Sequence, residues 1–135
     1  MLKKTHLVDY LFDNIASFNG PFLSGRFGSI SFNSLHHGVK IYSYFLNSEI
    51  GREKIVLIKS DNSPFLVKSY LSVINSGNIA FLIDEKYTLN QVEEIIKNLN
   101  PEALICKSTK QYSKSFDIKL YDEEFLENLN VENKL

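Results

Sequence analysis

Three short apolar runs, separated by two stretches with helical periodicity, constrain the fold of this chain more than any other feature. The runs are IVLI at residues 55–58, IAFLI at residues 79–83 and ALIC at residues 103–106. Each run is continuous and has the length of a strand that is covered on both faces. Strands that alternate with helices cannot pair as hairpins, because a parallel pair requires a crossover connection. The pattern therefore predicts a parallel sheet.

The first helical stretch carries signals for both of its ends. Asn62 and Ser63 offer a polar N-cap, and Pro64 follows at the first helical position, where its missing N–H costs nothing. Gly77 comes just after the last apolar residue and predicts the end of the helix. The start and stop signals agree, so a single helix is expected between these positions.

The second helical stretch has the most complete local pattern in the sequence. Thr88 and Gln91 have the spacing of a capping box, in which the two side chains satisfy backbone donors reciprocally. Apolar residues then recur at helical spacing: Val92, Ile95, Ile96 and Leu99. The Asn100-Pro101 pair predicts the end of this helix.

The flanking segments extend the alternation of strands and helices. A first helix is predicted at residues 5–18, and residues 29–32 predict a brief strand followed by a helix that is capped at Asn33 or Ser34. A further strand is predicted at residues 118–121. The whole pattern predicts an α/β fold in three layers, with a mostly parallel sheet and helices on both faces.

The length and charge of the chain predict one domain. Its 135 residues are 44% hydrophobic and carry a formal net charge of −1. Within it we expect an N-terminal helix and arm at residues 1–28, an alternating core at residues 29–121 and an acidic tail at residues 122–135. A near-neutral chain with 13 lysines and only 2 arginines lacks the basic face of a dedicated nucleic-acid binder, so no nucleic-acid partner is expected.

The sequence shows no feature of a secreted or membrane protein. Cys106 is the single cysteine, so no intrachain disulfide can form. The longest apolar run, at residues 79–83, is far shorter than the roughly 20 residues that span a bilayer. A cytoplasmic protein with no membrane partner is therefore expected.

Four polar residues form the candidate ligand-binding site. Ser60, Asn62 and Ser63 follow one predicted strand, and Asp84 follows the next. In parallel sheets ligands bind at the carboxyl ends of strands, so these side chains are predicted to share one edge. The alternative is structural: Asn62 or Ser63 caps a helix, and Asp84 belongs to a solvated turn.

The remaining reactive side chains give no catalytic or metal site. His36 and His37 are adjacent, and adjacent residues on a helix point about 100° apart, so they cannot share a metal ion. Cys106 lies late in an apolar strand, where a buried thiol is favoured over a nucleophile. No catalytic residue and no metal ligand is therefore assigned.

Residues 28–110 resemble the N-terminal part of the adenylate-forming acyl- and aryl-CoA synthetase superfamily, the AMP-binding enzymes. The similarity follows a strand and an Asn-Ser-Pro turn at residues 54–64, a helix that ends at Gly77, a strand, and a helix that begins at Thr88. One position departs from the pattern, because Leu82 stands where the family carries a proline before an acidic turn. The order and spacing of the motifs carry the resemblance.

The resemblance implies only part of an enzyme. The family activates a carboxylate with ATP and transfers it to a thiol such as that of coenzyme A. This chemistry uses a glycine-rich loop that ends in Pro-Lys-Gly, an acidic Thr-Glu motif and a lysine from a C-terminal domain. The chain carries none of these motifs, and its last glycine is Gly77. We therefore expect no activity from the chain alone, whereas a complete enzyme would use ATP with magnesium and coenzyme A.

Two kinds of partner and two other functions remain open. The chain could associate with the remainder of a ligase or with a second copy of itself, because a partial domain leaves apolar surface uncovered. A stand-alone α/β interaction module, or one subunit of a split ligase, is the first alternative function. A small nucleotide- or sugar-handling enzyme with its site at the strand ends is the second.

Overall fold

The computed structural model describes residues 21–25, 28–112 and 116–129. Its elements in chain order are β1 (Pro21–Gly25), β2 (Gly28–Ser31), α1 (Phe32–Ile50), β3 (Ile55–Ser60), α2 (Pro64–Asn75), β4 (Ile79–Asp84), α3 (Leu89–Leu99), β5 (Ala103–Cys106), β6 (Lys119–Asp122) and α4 (Glu123–Glu127). The helix predicted at residues 5–18 and the end of the acidic tail, residues 130–135, lie outside the described residues.

The main sheet is parallel, as predicted. Its four strands lie in the order β4-β3-β5-β6. The chain runs from β3 outward to β4 and then returns past β3 to β5, so the direction of winding reverses between β3 and β5. The crossover through α2 runs across the sheet in one direction, and the crossover through α3 runs in the opposite direction. Because such crossovers are right-handed, α2 and α3 lie on opposite faces of the sheet.

Both faces of the sheet are covered by helices, which confirms the predicted three-layer arrangement. On one face, side chains of α1 and α2 pack on β3 and β5; the buried apolar residues there include Phe45, Leu46, Val56, Ile58, Phe65, Val73 and Ile105. On the other face, α3 packs on the same strands; that cluster includes Leu57, Ile83, Val92, Leu104, Cys106 and Tyr112. None of the described helices is long and apolar enough to cross a membrane.

Helix α2 begins and ends at the predicted residues. The Ser63 hydroxyl accepts a hydrogen bond from the Leu66 backbone N–H at 3.3 Å, and Pro64 occupies the first turn. Gly77 has a φ of +84°, which a glycine adopts without the steric cost that a side chain imposes. The local signals of the sequence therefore set both ends of this helix.

Helix α3 has the predicted capping box. The Thr88 hydroxyl accepts from the Gln91 backbone N–H at 3.2 Å, and the Gln91 side chain accepts from the Thr88 N–H at 2.8 Å. At the other end Asn100 takes the left-handed conformation, with a φ of +50°, just before Pro101. Apolar residues on the inner face of α3 pack on the sheet: Val92, Ile95, Ile96 and Leu99.

The segment before α1 differs from the prediction in two ways. The N-cap of α1 is Ser31 rather than Asn33 or Ser34, because the Ser31 hydroxyl accepts the Ser34 N–H at 3.1 Å. The strand expected at residues 29–32 is present as β2, but it pairs antiparallel with β1 in a separate two-stranded sheet. Gly25 pairs with Gly28 in this antiparallel ladder, and β2 therefore lies beside β1 and not in the parallel sheet.

The predicted strand at residues 118–121 lies one residue further along, and a short helix follows it. Asp122 caps this helix by accepting the Phe125 N–H at 2.9 Å. The Phe125 ring lies 5.8 Å from the ring of Tyr121 and 5.3 Å from that of Phe45, so α4 folds back over the end of β6.

An ion pair between a buried lysine and a glutamate connects α4 to α1 and α2, the two helices on its face of the sheet. Lys68 of α2 donates to both carboxylate oxygens of Glu127 at 2.9 Å, and the Tyr42 hydroxyl donates to Glu127 Oε2 at 2.7 Å. A Cβ on Gly38 would lie 2.5 Å from the Lys68 Cδ, so glycine at this position leaves room for the lysine. These contacts join α1, α2 and α4.

Candidate ligand crevices at the carboxyl edge of the sheet

Two adjoining crevices open at the carboxyl edge of the parallel sheet. One lies beyond the ends of β3 and β4, and the other lies beyond the ends of β3 and β5. The second coincides with the reversal of winding, where the crossovers diverge and leave a gap above the sheet. Open α/β sheets bind ligands at such points, because strand ends and loops there expose backbone and side-chain polar groups.

The β3–β4 crevice contains three of the four predicted site residues and measures about 410 Å³. Ser60, Asn62 and Asp84 line it, together with Leu82, Ile83, Glu85 and Lys86. Asn62 is exposed and has a φ of +60°, and Asp84 accepts the Lys86 backbone N–H at 2.8 Å. The predicted convergence of the two strand ends is therefore present in the geometry, and its use by a ligand stays a prediction.

Ser63, the fourth predicted residue, stands apart from the crevice. It is buried, and its hydroxyl accepts from the Leu66 N–H while donating to Asp61 Oδ1 at 2.6 Å. Asp61 also accepts the Ser63 backbone N–H at 3.0 Å. These bonds use the Ser63 hydroxyl in capping α2, which is the structural alternative that the sequence left open.

The β3–β5 crevice has a volume of about 230 Å³ and carries charges of both signs. Lys59 and Asp61 of the β3 end and Lys107 of the β5 end line it, together with Glu85, Cys106, Ser108 and Gln111. Lys59 donates to the Tyr112 hydroxyl at 2.6 Å, and its ammonium group lies 5.0 Å from the centre of the Tyr112 ring. The tyrosine thus fixes the direction of the lysine.

Lys59 was not among the residues that the sequence analysis singled out. The available signal was a charged residue near the end of an otherwise apolar strand, on the same face as Ile55 and Leu57. Its partner Tyr112 lies 53 positions further along the chain, in a segment without helical or strand periodicity. Only the folded chain brings the two together.

The Cys106 thiol is not activated as a nucleophile. Burial raises its pKa to about 11, and the positive charge of Lys59 opposes this effect only in part. The thiol donates a hydrogen bond to the Ser108 carbonyl at 3.0 Å. At neutral pH the thiol is therefore protonated, which agrees with the interpretation of Cys106 as a buried structural side chain.

The adjacent histidines lie on α1, away from both crevices. His36 is half-buried, and burial, Lys40 and His37 together lower its pKa below the ordinary value. His37 is exposed. Within the described ranges, no group of three or more histidine, cysteine, aspartate or glutamate side chains is placed to hold a metal ion.

Taken together, the crevices offer recognition groups and no activated reacting group. They present ammonium, carboxylate, hydroxyl and amide groups, which suit a small polar ligand. The Ser63 hydroxyl is engaged in capping, and the Cys106 thiol is protonated and hydrogen-bonded. The geometry of this edge therefore suits the binding of a small polar ligand.

Comparison with known sequences gives one remote match. No model of a protein family matches the chain. Apicidin F synthase of Gibberella fujikuroi is 24% identical over 91 residues, which are 67% of this chain and 2% of that protein. The chain therefore corresponds to a very small part of that much longer synthase.

Comparison with solved structures gives extensive matches to the fold. VinN in complex with L-aspartate aligns over 90% of this chain and 36% of its own, with a TM-score of 0.80 and 15% identity. ATP-bound MatB from Rhodopseudomonas palustris aligns over 85% of this chain and 24% of its own, with a TM-score of 0.73 and 17% identity. The N-terminal subdomain of Klebsiella oxytoca NpsA aligns over 93% of this chain and 33% of its own, with a TM-score of 0.74 and 18% identity.

These three neighbours are adenylate-forming enzymes. The chain covers 36% or less of each of them, so it matches only a part of their structures. The predicted fold is thereby confirmed: the protein has the fold of the N-terminal portion of an adenylate-forming enzyme.

Proposed function

We propose that this chain is the N-terminal portion of an acyl-CoA synthetase-like ligase and does not catalyse adenylation alone. The match to the NpsA N-terminal subdomain over 93% of this chain carries the proposal, because it equates nearly the whole chain with one part of a larger enzyme. The complete enzyme would activate a carboxylate with ATP and magnesium and would transfer the acyl group to coenzyme A. The remainder of that ligase is the corresponding partner, and the cytoplasm its expected location.

The neighbours suggest the ligands to try first. The matched structures include VinN in complex with L-aspartate and with 3-methylaspartate, and MatB with ATP bound. Small carboxylic acids, including amino acids, are therefore the first substrates to test with a complete enzyme. The β3–β5 crevice carries lysines and carboxylates, which suit the charges of a small polar acid.

The arrangement of side chains supports a structural and docking role for this portion. The strand ends present polar groups, yet the Ser63 hydroxyl caps α2 and the Cys106 thiol is held in its neutral form. Neither is available as a nucleophile at neutral pH. In the proposed ligase the reacting groups would therefore come from parts of the enzyme other than this sheet edge.

A thermal-shift titration tests the proposal on the chain as it is. ATP, AMP, coenzyme A and a panel of carboxylates are added to the purified protein. A ligand at about one hundred times its dissociation constant stabilises a fold by roughly 2.7 kcal/mol, which raises the midpoint by several degrees. We expect no shift with any nucleotide. A saturable shift with ATP or AMP would contradict the proposal, because it would require a complete nucleotide site within this chain.

One observation favours a second candidate, a stand-alone α/β interaction module. The edge strand β4 exposes apolar side chains, which are typical of a surface that another protein covers. The two candidates differ in what restores adenylation. A split or truncated ligase gains activity when the segment with the glycine-rich loop is co-expressed, whereas an interaction module does not.

A further inference from the structure

We propose that a second copy of this chain pairs with the exposed edge of β4, so that two sheets join across a two-fold axis. The proposal concerns the surface of the chain itself and does not depend on the proposed ligase function. It rests on the exposure of the strand, on the direction of its free backbone groups and on the symmetry of its sequence.

No described strand pairs with the outer edge of β4. β4 is the edge strand of the sheet. Three of its apolar side chains are exposed to an unusual degree: Ile79 at 54%, Phe81 at 40% and Leu82 at 47%. Its pairing with β3 runs in regular register from Ile79 to Asp84. Natural edge strands are usually blunted by lysine, proline, a bulge or short length, and residues 79–83 have none of these protections.

The hydrogen bonds of β4 show which of its residues face outward. The Ile79 N–H donates to the Lys54 carbonyl at 2.8 Å, so Ile79 points its backbone groups toward β3. By the alternation of a strand, Phe81 and Ile83 do the same, while Ala80 and Leu82 direct their N–H and C=O groups to the open edge. An antiparallel partner must therefore form its hydrogen-bonded pairs through Ala80 and Leu82.

The sequence of β4 is self-complementary in one of the allowed registers. With the two-fold axis at Phe81, that residue lies opposite the partner's Phe81, Ile79 lies opposite the partner's Ile83, and Ala80 exchanges hydrogen bonds with the partner's Leu82. Apolar residues then meet apolar residues along the whole run. The central aromatic pair is of the non-hydrogen-bonded type, which brings side chains closest together.

The register whose axis is shifted by one residue toward the C-terminal end of β4 gives less favourable side-chain pairs. With the axis at Leu82, Ile79 would face the partner's Glu85, and Ala80 would face the partner's Asp84. Both pairs place a carboxylate against an apolar side chain. The register with the axis at Phe81 is therefore favoured over the register with the axis at Leu82.

The charges at the two ends of the strand favour the same register. It places Glu85 opposite the partner's Gly77. The Arg52 guanidinium lies beside Gly77, since a Cβ on that glycine would be 2.8 Å from the guanidinium nitrogen. Arg52 and Glu85 are both exposed. Each end of the joined edge thus brings a carboxylate of one copy near a guanidinium of the other, which opposes slippage of the register.

The solution mass of the full chain tests the association. We expect a species of twice 15.5 kDa that dissociates on dilution. Leu82→Pro removes an outward N–H, and Phe81→Glu places like charges at the axis, so each variant should shift the mass toward 15.5 kDa. Tyr44→Glu is the matched control, since Tyr44 is 47% exposed on α1, away from β4. A wild-type chain that stays monomeric at all concentrations, or a control that dissociates equally, overturns the proposal.

Cysteine cross-linking tests the register. Phe81→Cys puts two identical thiols opposite each other, so mild oxidation should give a covalent dimer. Leu82→Cys faces the partner's Ala80 and should give little, and the native Cys106 is buried. Arg52→Glu should weaken the dimer, and adding Glu85→Arg should restore it. Efficient cross-linking through Leu82→Cys instead, or no rescue by the charge swap, would contradict the proposed pairing.

Discussion

The two edge strands of the main sheet, β6 and β4, differ in length, in charge and in how other parts of the chain pack on them. β6 has four residues, includes Lys119 and Asp122, and is followed by α4, whose Phe125 packs on Tyr121 and Phe45. β4 has six residues, is apolar through its first five and exposes the side chains of Ile79, Phe81 and Leu82, while Ile83 is buried. One edge is short, charged and packed against α4, whereas the other is long, apolar and unpaired within the part of the chain that the structure describes.

This difference implies that apolar residues at the two edges contribute to different properties of the protein. At the β6 edge, Tyr121 and Phe45 contribute to the stability of the monomer because both rings are buried, although Phe125, which packs on them, is itself 47% exposed. At the β4 edge, equally apolar side chains contribute little to the monomer, since a large part of their surface still contacts water. Substitutions at the two edges should therefore act on different properties, namely the free energy of unfolding at β6 and association at β4.

The largest contrast should come from matched aromatic truncations. Tyr121→Ala removes a buried ring that packs on Phe45 and Phe125, and should lower the free energy of unfolding by about 3–5 kcal/mol. Phe81→Ala, at a side chain that is 40% exposed, should cost less, about 1–2 kcal/mol in the monomer. Urea unfolding at low protein concentration compares the two. Equal losses would show that the edges are not different in the way described.

The next largest effect concerns the ion pair between Lys68 and Glu127, which connects α4 to α2. Glu127→Ala leaves the buried ammonium of Lys68 without its carboxylate partner and should cost about 1–3 kcal/mol. Removing both groups with Lys68→Met and Glu127→Ala should recover part of the loss, because no buried charge is then unpaired. Thermal unfolding of the single and double variants measures this. A double variant less stable than Glu127→Ala would count against the explanation.

A smaller effect is expected at the cap of α3. Thr88→Ala removes the hydroxyl that accepts the Gln91 N–H and should cost about 1 kcal/mol. Thr88→Ser keeps the acceptor and should remain close to wild type. Chemical denaturation distinguishes the two variants. A loss of similar size with serine would mean that the Thr88 methyl group, rather than the cap, matters.

The smallest effect at neutral pH concerns the Tyr121 hydroxyl, which has no hydrogen-bond partner among the described residues. Burial, with help from Glu49 and Glu102, raises the Tyr121 pKa from 10.0 to about 12. Between these values the folded chain keeps a proton that the unfolded chain has lost, so stability falls as pH rises. Tyr121→Phe should be nearly neutral at pH 7.

A pH series of unfolding midpoints checks the sign of this effect. Between pH 10 and 12 the wild type should lose more stability than Tyr121→Phe. Tyr44→Phe, at an exposed position, should follow the wild type. Parallel curves for the wild type and Tyr121→Phe would contradict the role of burial at β6.

The elements that the sequence predicted well are those with local signals. Ser63 before Pro64, and Thr88 with Gln91, specify helix starts through contacts within a few residues. Two of the three continuous apolar runs, in β3 and β5, are strands buried on both faces as expected, whereas the run at residues 79–83 is the exposed edge strand β4. The antiparallel pairing of β1 with β2 was missed, because neither strand has the continuous apolar run that marks the strands of the main sheet. The Ser31 cap was misplaced because several neighbouring polar residues were equally suitable.

The candidate site was predicted only in part, for a physical reason. Adjacent strand ends bring Ser60 and Asp84 to one edge, so their convergence follows from the parallel order alone. Lys59 with Tyr112 and Lys68 with Glu127 pair residues more than fifty positions apart. Such pairs depend on side-chain placement after folding, which no local pattern in the sequence reveals.

The most direct test of the account is carboxylate-dependent exchange of pyrophosphate into ATP. The assay compares the 135-residue chain alone with the chain co-expressed with a ligase segment that carries the glycine-rich Pro-Lys-Gly loop and the C-terminal lysine. The account predicts no exchange by the chain alone and exchange by the combination. Exchange by the isolated chain, or none by the combination with any carboxylate, would contradict the claim that this chain is the N-terminal portion of an adenylate-forming ligase.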